Sequence, residues 1–356
     1  MSRFLKEAFQ SIEPYTPGEQ PQGRAYIKLN TNESPYPPSP QVIHAISREE
    51  VADLRLYSDP ETKALISAIA ETYGLRAENI IVGNGSDEVL AFSFLAFNSK
   101  EKGVIYPDIT YGFYSVWAEL FGIKHRSIPL REDFHIDIEA YLAPGENVVI
   151  ANPNAPTGIA LSLAEIERIL IAHPDDVVLI DEAYVDFGAE SALSLLGRYE
   201  NLLVVQTFSK SRALAGGRIG FAMGHPALIE DLSRMKYSFN PYNINRLSIL
   251  AGAAAMKDTA YFDSCRQKII ATRERVAKAL EPLGFATLPS LTNFLFTKHP
   301  YLSGQAFYKA LRENGILVRW FDKPRIQDFV RLTIGNDQEM DTFLSTLETI
   351  KKELQL

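Results

Sequence analysis

The stretch NLLVVQTFSKSRALAGGRIG, residues 201–220, reads as a buried strand running straight into a ligand loop. Its apolar residues are continuous rather than alternating, which marks a strand covered on both faces, as in a parallel sheet. The run ends on Thr207, Ser209 and Lys210, followed by a glycine pair and Arg218. A lysine is seldom buried without a partner, and glycines let a backbone come close to a bound molecule. An amine that can form an imine, beside a hydroxyl and a guanidinium that can hold phosphate, suits a phosphorylated aldehyde.

Working outward, the same strand-then-polar pattern repeats. DVVLIDEAY ends its apolar run on Asp181, and NVVIANP ends on Asn152 with Asn154 close behind. Between them SLAEIERILIAH has helical spacing, as do YGFYSVWAELFG and, before it, the helix that Ser86, Asp87 and Glu88 open after the strand Ile80 to Val82. Strands alternating with helices predict a mainly parallel α/β sheet flanked by helices, with the active groups at the carboxyl ends of the strands. The spacing from Asp181 to Lys210 leaves room for one helix and one strand, so their strand ends can be neighbours. VGNGSDEVL is a strand–turn–helix, a layout that presents free backbone amides to phosphate.

Earlier, NTNESPYPPSP (residues 30–40) holds four prolines and predicts an extended arm. DPETKALISAIAETYG follows as a helix with Asp59 and Pro60 as its start and Gly74 as its stop. After residue 255 the pattern changes to a long helix, the helix GQAFYKALRENG and the strands ILVRWF and FVRLTIG, predicting a smaller α+β domain joined by the N-terminal segment. The predicted divisions are residues 1–42 for the arm and part of the small domain, 43–254 for the large domain and 255–356 for the small one.

The chain has 356 residues, a net charge of −8 and 22% charged residues. That balance argues against nucleic-acid binding, which needs a concentrated basic face. No apolar run is long enough to span a bilayer, and no secretion signal is expected. The single cysteine, Cys265, fits a reducing compartment, so a cytoplasmic location is expected.

The motifs LNTNESPYPPSP, VGNGSDEVL, ITYGFYSV, NPNAPTG, LIDEAYVDF, TFSKSRALAGGRIG and VRLTIG occur in the order seen in one family. In them the chain resembles the fold-type I pyridoxal-phosphate aminotransferases and, within those, the histidinol-phosphate aminotransferases. The resemblance implies pyridoxal 5'-phosphate as cofactor, no metal, and ping-pong transamination between histidinol phosphate and 2-oxoglutarate in histidine biosynthesis. It makes Lys210 the Schiff-base lysine and proton carrier, Asp181 the partner of the pyridine nitrogen, and Tyr184 the donor to the ring's phenolic oxygen. Gly85, Ser86, Asp87, Thr207, Ser209 and Arg218 would hold the phosphate, the turn acting through its backbone while the Asp87 and Glu88 carboxylates face away. Tyr111 would stack on the ring.

The resemblance also implies a homodimer with shared active sites, in which Tyr57 reaches the partner's cofactor phosphate and Tyr15 closes over substrate in the partner's site. Asn32, Arg319 and Arg331 would meet substrate, Arg331 at its carboxylate and Arg319 at its phosphate. Ala155 stands where the family often has an asparagine that donates to the phenolic oxygen, a contact that either passes to Asn154 or is lost. Arg246 stands where a small residue is usual and adds a cation expected to lie close to the site. Two other activities share much of this residue set and stay open: transamination of aromatic amino acids, and decarboxylation of a phosphorylated threonine.

Overall fold

The computed structural model describes residues 4–21, 23 and 25–354. Its centre is a seven-stranded sheet built from β2 (Ile80–Gly83), β3 (Val104–Pro107), β4 (His125–Ile128), β5 (Asn147–Ala151), β6 (Val178–Asp181), β7 (Leu202–Thr207) and β8 (Gly220–Gly224). The spatial order is β2-β8-β7-β6-β5-β3-β4, and β8 alone runs against the others. Continuous apolar strands are explained by two covered faces. Val178 and Ile180 join a core with α3 (Lys63–Tyr73), α6 (Leu163–Ala172) and α8 (Arg246–Lys257). Leu179 points the other way, into a core with α4 (Ser86–Phe97), α5 (Phe113–Phe121) and α7 (Pro226–Phe239).

Helix α3 stops at Gly74 in a left-handed conformation, φ 66°, the backbone state that glycine adopts most cheaply. Its start lies at Lys63, three residues past the proline, and the Asp59 carboxylate accepts from the Glu61 and Lys63 amides to mark it. Before it, PQVIHAISREEV divides into α1 (Pro40–Ala45) and α2 (Arg48–Ala52), each opened by a serine cap. The connection from Asp181 to Lys210 contains no α-helix; two 3-10 turns, Val185–Phe187 and Ala192–Leu195, carry the chain to β7.

Four strands form a second, antiparallel sheet in the order β12-β13-β10-β9, from β9 (Ala286–Thr287), β10 (Phe294–Lys298), β12 (Arg319–Trp320) and β13 (Val330–Thr333). ILVRWF was expected as one strand but is split at Val318. Ile316–Leu317 is β11, which pairs in parallel with β1 (Ile27–Lys28), so the N-terminal segment joins the C-terminal part through main-chain bonds. Helices α9 (Thr259–Leu280), α10 (Gly304–Glu313) and α11 (Asp337–Leu354) cover this region with Ile269, Val276, Phe307 and Phe343 in its core.

Candidate functional site

Parallel strands present their carboxyl ends along one edge. Ala151 on β5 is in register with Asp181 on β6, which is in register with Val205 on β7. A cleft of about 710 Å³ opens over these ends, lined by Asp181, Tyr184, Thr207, Ser209, Lys210 and Arg218 on one side and Tyr15, Arg319, Phe321 and Arg331 on the other.

Lys210 leaves β7 through two hydroxyl residues and reaches back, its Nζ donating to the Thr31 carbonyl at 3.2 Å. Among the described residues no carboxylate pairs with it. The side chain is reachable through the cleft, yet its amine lies among protein atoms. Burial first, and the positive charge of Arg331 second, push its pKa down to about 8, so the neutral amine is accessible near physiological pH.

Asp181 is 5% exposed. Its Oδ2 accepts from the Tyr114 hydroxyl at 2.8 Å and its Oδ1 from the Ala183 amide at 3.2 Å. Burial dominates and raises its pKa to about 6, while those two donors oppose the rise. Tyr184 lines the same cleft, with its ring edge-on to Phe294 at 5.1 Å and the Lys210 Nζ 5.8 Å from its ring centroid. The Tyr184 oxygen accepts from Asn32 Nδ2 at 2.8 Å, which leaves the tyrosine's own proton free. Asn32 is 1% exposed and sits at φ 57°.

The amino end of α4 closes the cleft floor. Gly85 is its N-cap and has no side chain to satisfy the first amides, which are thereby available to an anion. A Cβ on Gly220 would lie 2.0 Å from the Ser86 nitrogen, so only glycine lets β8 pack against this turn. Thr207 donates its hydroxyl to Ser209 Oγ at 3.0 Å, freeing the Ser209 proton to point at a ligand. Arg218 meets Asp87 at 2.9 Å, and Asp87 also accepts from the Tyr111 hydroxyl at 2.7 Å. This corrects the expectation that Asp87 faces away: it lines the cleft and fixes both Arg218 and Tyr111. Glu88 does turn outward, to the Asn84 amide and Asn243.

On the facing wall, Arg319 and Arg331 are direct cross-strand partners on β12 and β13. Arg331 donates to the Asn30 carbonyl at 3.1 Å, while its buried Nε has no partner among the described residues. Burial lowers its pKa. Arg319 donates to the Pro17 and Thr16 carbonyls, which pins the arm beside the cleft. Tyr15 therefore reaches the cleft of its own chain, stacked on Phe113 at 4.3 Å and tilted against Tyr111 at 5.9 Å, where placement over the partner's site was expected.

Three expected residues lie elsewhere. Asn154 spends its side chain on Ile109, Thr110 and Thr157, so it offers nothing to the cleft, and Ala155 is the residue that lines it. Arg246 pairs with Glu50 at 2.9 Å and Asp53 at 3.7 Å and adds no cation to the site. Tyr57 is 81% exposed and stacks on Tyr242, away from this chain's cleft. Conversely, Tyr114 was not anticipated as a site residue. It lies one residue into α5, three positions after Tyr111, and meets that ring edge-on at 5.7 Å, a contact that no local rule in the sequence marks.

Residues 24–347 match the model of the family described as aminotransferase class I and II. The histidinol-phosphate aminotransferase of Brachyspira hyodysenteriae is 52% identical over 99% of this chain and 100% of its own. That of Marinomonas sp. is 54% identical over 98% of this chain and 100% of its own. Among solved structures, the histidinol-phosphate aminotransferase of Sinorhizobium meliloti in complex with pyridoxal-5'-phosphate superposes with a TM-score of 0.89, at 25% identity over 99% of each chain.

Proposed function

The chain belongs to the class I and II aminotransferases, and from that premise we propose that it transfers an amino group from histidinol phosphate to 2-oxoglutarate, with pyridoxal 5'-phosphate as its cofactor. The donor set fits that cofactor. An amine, an acceptor for a ring nitrogen, a hydroxyl donor and an unsatisfied helix terminus with Ser209 and Arg218 line one cleft. When bound, the cofactor supplies an aldehyde for amine condensation and a ring that draws electrons from the substrate carbon.

In this reading Lys210, Asp181 and Tyr184 are the catalytic groups. Lys210 holds and returns the substrate's α proton at Nζ, a task its lowered pKa suits. Asp181, aligned by Tyr114, would accept from the ring nitrogen and hold a positive charge there. Tyr184 donates to the phenolic oxygen, since its own oxygen is already served by Asn32. Tyr111, held by Asp87, covers the ring. The amides at Ser86 and Asp87, with Ser209 and Arg218, would hold the cofactor's phosphate.

The observation that favours a phosphorylated substrate is the Arg319–Arg331 pair. Like charges directly opposite on neighbouring strands repel, and a doubly charged anion between them removes that cost. Tyr15 lies close enough to both for their charges to act on its hydroxyl, and supplies a further donor. We also assign a homodimer, because Tyr57, Leu54, Leu56, Ile43 and Val51 are exposed apolar side chains of one region, more than a free surface usually carries together. Tyr57 would then serve the partner's phosphate. The buried Cys265 is in keeping with a cytoplasmic location.

The test compares catalytic efficiency with histidinol phosphate, phenylalanine and O-phosphothreonine. Preference for the first, dependence on 2-oxoglutarate and loss of turnover in Lys210→Ala are expected. Equal efficiency with phenylalanine, or carbon dioxide release without a keto acid, overturns the reading.

A further inference from the structure

Strand β13 carries two residues on one face of the sheet, Arg331 and Thr333, since side chains two apart point the same way. Arg331 has a place in the cleft. Thr333 is buried and has no direct access to it, but it touches a residue that does. Its Oγ1 accepts from the Asn32 backbone amide at 3.0 Å and donates to Asn32 Oδ1 at 3.0 Å. The Asn32 carbonyl accepts from Asn293 Nδ2 at 3.0 Å. Asn32 is thus held at both backbone groups and at its amide oxygen, in a left-handed conformation that only asparagine, aspartate and glycine adopt easily.

Holding Oδ1 toward Thr333 decides which amide atom faces Tyr184. It is Nδ2, a donor, at 2.8 Å from the Tyr184 oxygen. A tyrosine oxygen that accepts one hydrogen bond keeps its own proton for another acceptor. Turned over, the amide would present Oδ1, take the tyrosine's proton and leave the cleft facing an acceptor. Ala155, beside the same wall, has no polar group to make up the loss.

We propose that Thr333 is a positioning residue for the transamination, setting the Asn32 amide so that the Tyr184 hydroxyl donates into the cofactor cleft. This rests on the aminotransferase reading above. It also ties cofactor chemistry to the strand that carries Arg331, so substrate anchoring and hydroxyl orientation share one rigid element. The charged groups facing Tyr184 are Arg331 from β13, Asp181 from β6, Asp87 from α4 and Lys210 from the loop after β7. None of them is touched by changing Thr333.

The test uses Thr333→Val, which keeps the shape and removes the hydroxyl, and Thr333→Ser, which restores it. A donor at the phenolic oxygen stabilises its anionic form; without it a neighbouring protonated nitrogen holds its proton more firmly. The pH at which the bound cofactor changes colour should rise by about one unit in Thr333→Val, with kcat falling about tenfold and KM changing little. In the apoprotein, the Tyr184 resonance of 13C-labelled tyrosine, identified with Tyr184→Phe, should titrate at higher pH. Thr333→Ser should return all three toward the unaltered protein. A folded Thr333→Val with unaltered titrations overturns the proposal, and so does a Thr333→Ser as defective as the valine variant. Should Thr333→Val not fold, Asn32→Gly keeps the left-handed backbone and must give the same upward shift. Failure of the unaltered protein to bind the cofactor or transaminate would instead sink the underlying assignment.

Discussion

The Tyr114 hydroxyl donates to Asp181 Oδ2 at 2.8 Å, from a side chain that is itself fully enclosed. Asp181 is a buried carboxylate that ends its strand and lines the cleft, and burial has already raised its pKa to about 6. The hydrogen bond opposes that rise and keeps the carboxylate ionised at neutral pH.

Replacing Tyr114 with Phe should therefore move the acid limb of the rate profile upward by about one unit, the size expected of one lost hydrogen bond to a charged group. Activity should fall severalfold near pH 6.5 and little at pH 8.5. A pH profile of kcat/KM checks this.

Asp181→Asn should separate stability from function. The folded pKa of about 6 lies above the ordinary aspartate value of 3.8, so the aspartate's contribution is fully present below about pH 4 and is lost as pH rises through 6. At pH 7 the asparagine apoprotein should be more stable by about 1–3 kcal/mol, and the advantage should vanish at pH 4. Turnover should drop by at least about a hundredfold. Urea unfolding of the apoproteins at the two pH values measures the first effect.

Gly220→Ala should be disproportionately damaging for one methyl group. The added Cβ would lie 2.0 Å from the Ser86 nitrogen and 2.4 Å from the Gly85 carbonyl carbon, so the turn at the start of α4 must move. A loss of about 1–3 kcal/mol is expected, together with weaker cofactor binding. Thermal unfolding with and without cofactor reports both.

Arg319→Gln should raise KM for histidinol phosphate about tenfold or more while changing KM for glutamate less, because a dianion depends more on the second guanidinium. Relief of repulsion toward Arg331 should leave the unliganded protein at least as stable. Steady-state kinetics on both substrates and a melting curve decide it.

Much of this site was legible along the chain. Lys210 and Asp181 announce themselves as polar residues at or just past the ends of apolar strands, and strand ends of a parallel sheet must meet at one edge; Tyr184, three residues past its strand, was named only through the resemblance of LIDEAYVDF to the family motif. Gly85 and Ser86 were marked by the turn before a helix. Other residues follow no such local rule. Whether Asp87 faces in or out depends on Arg218, far along the chain, and Asn154 is claimed by the neighbouring loop at Thr110. Arg246 looked like a new cation until Glu50 and Asp53 proved to lie against it. The reversed direction of β8 was equally hidden, because strand polarity leaves no mark on an apolar pentapeptide.

The sequence by itself determined the alternation of strands and helices and the lysine and aspartate at or just past their ends, because periodicity and turn chemistry are local. Only the tertiary structure decided which partner each polar group obtained. A hydroxyl or amide has several possible acceptors, and the choice is made by residues brought within 3 Å of it from other strands. Thr333 and Asn32 are 301 positions apart in the chain and exchange two hydrogen bonds, and that pairing sets the direction in which Tyr184 can donate.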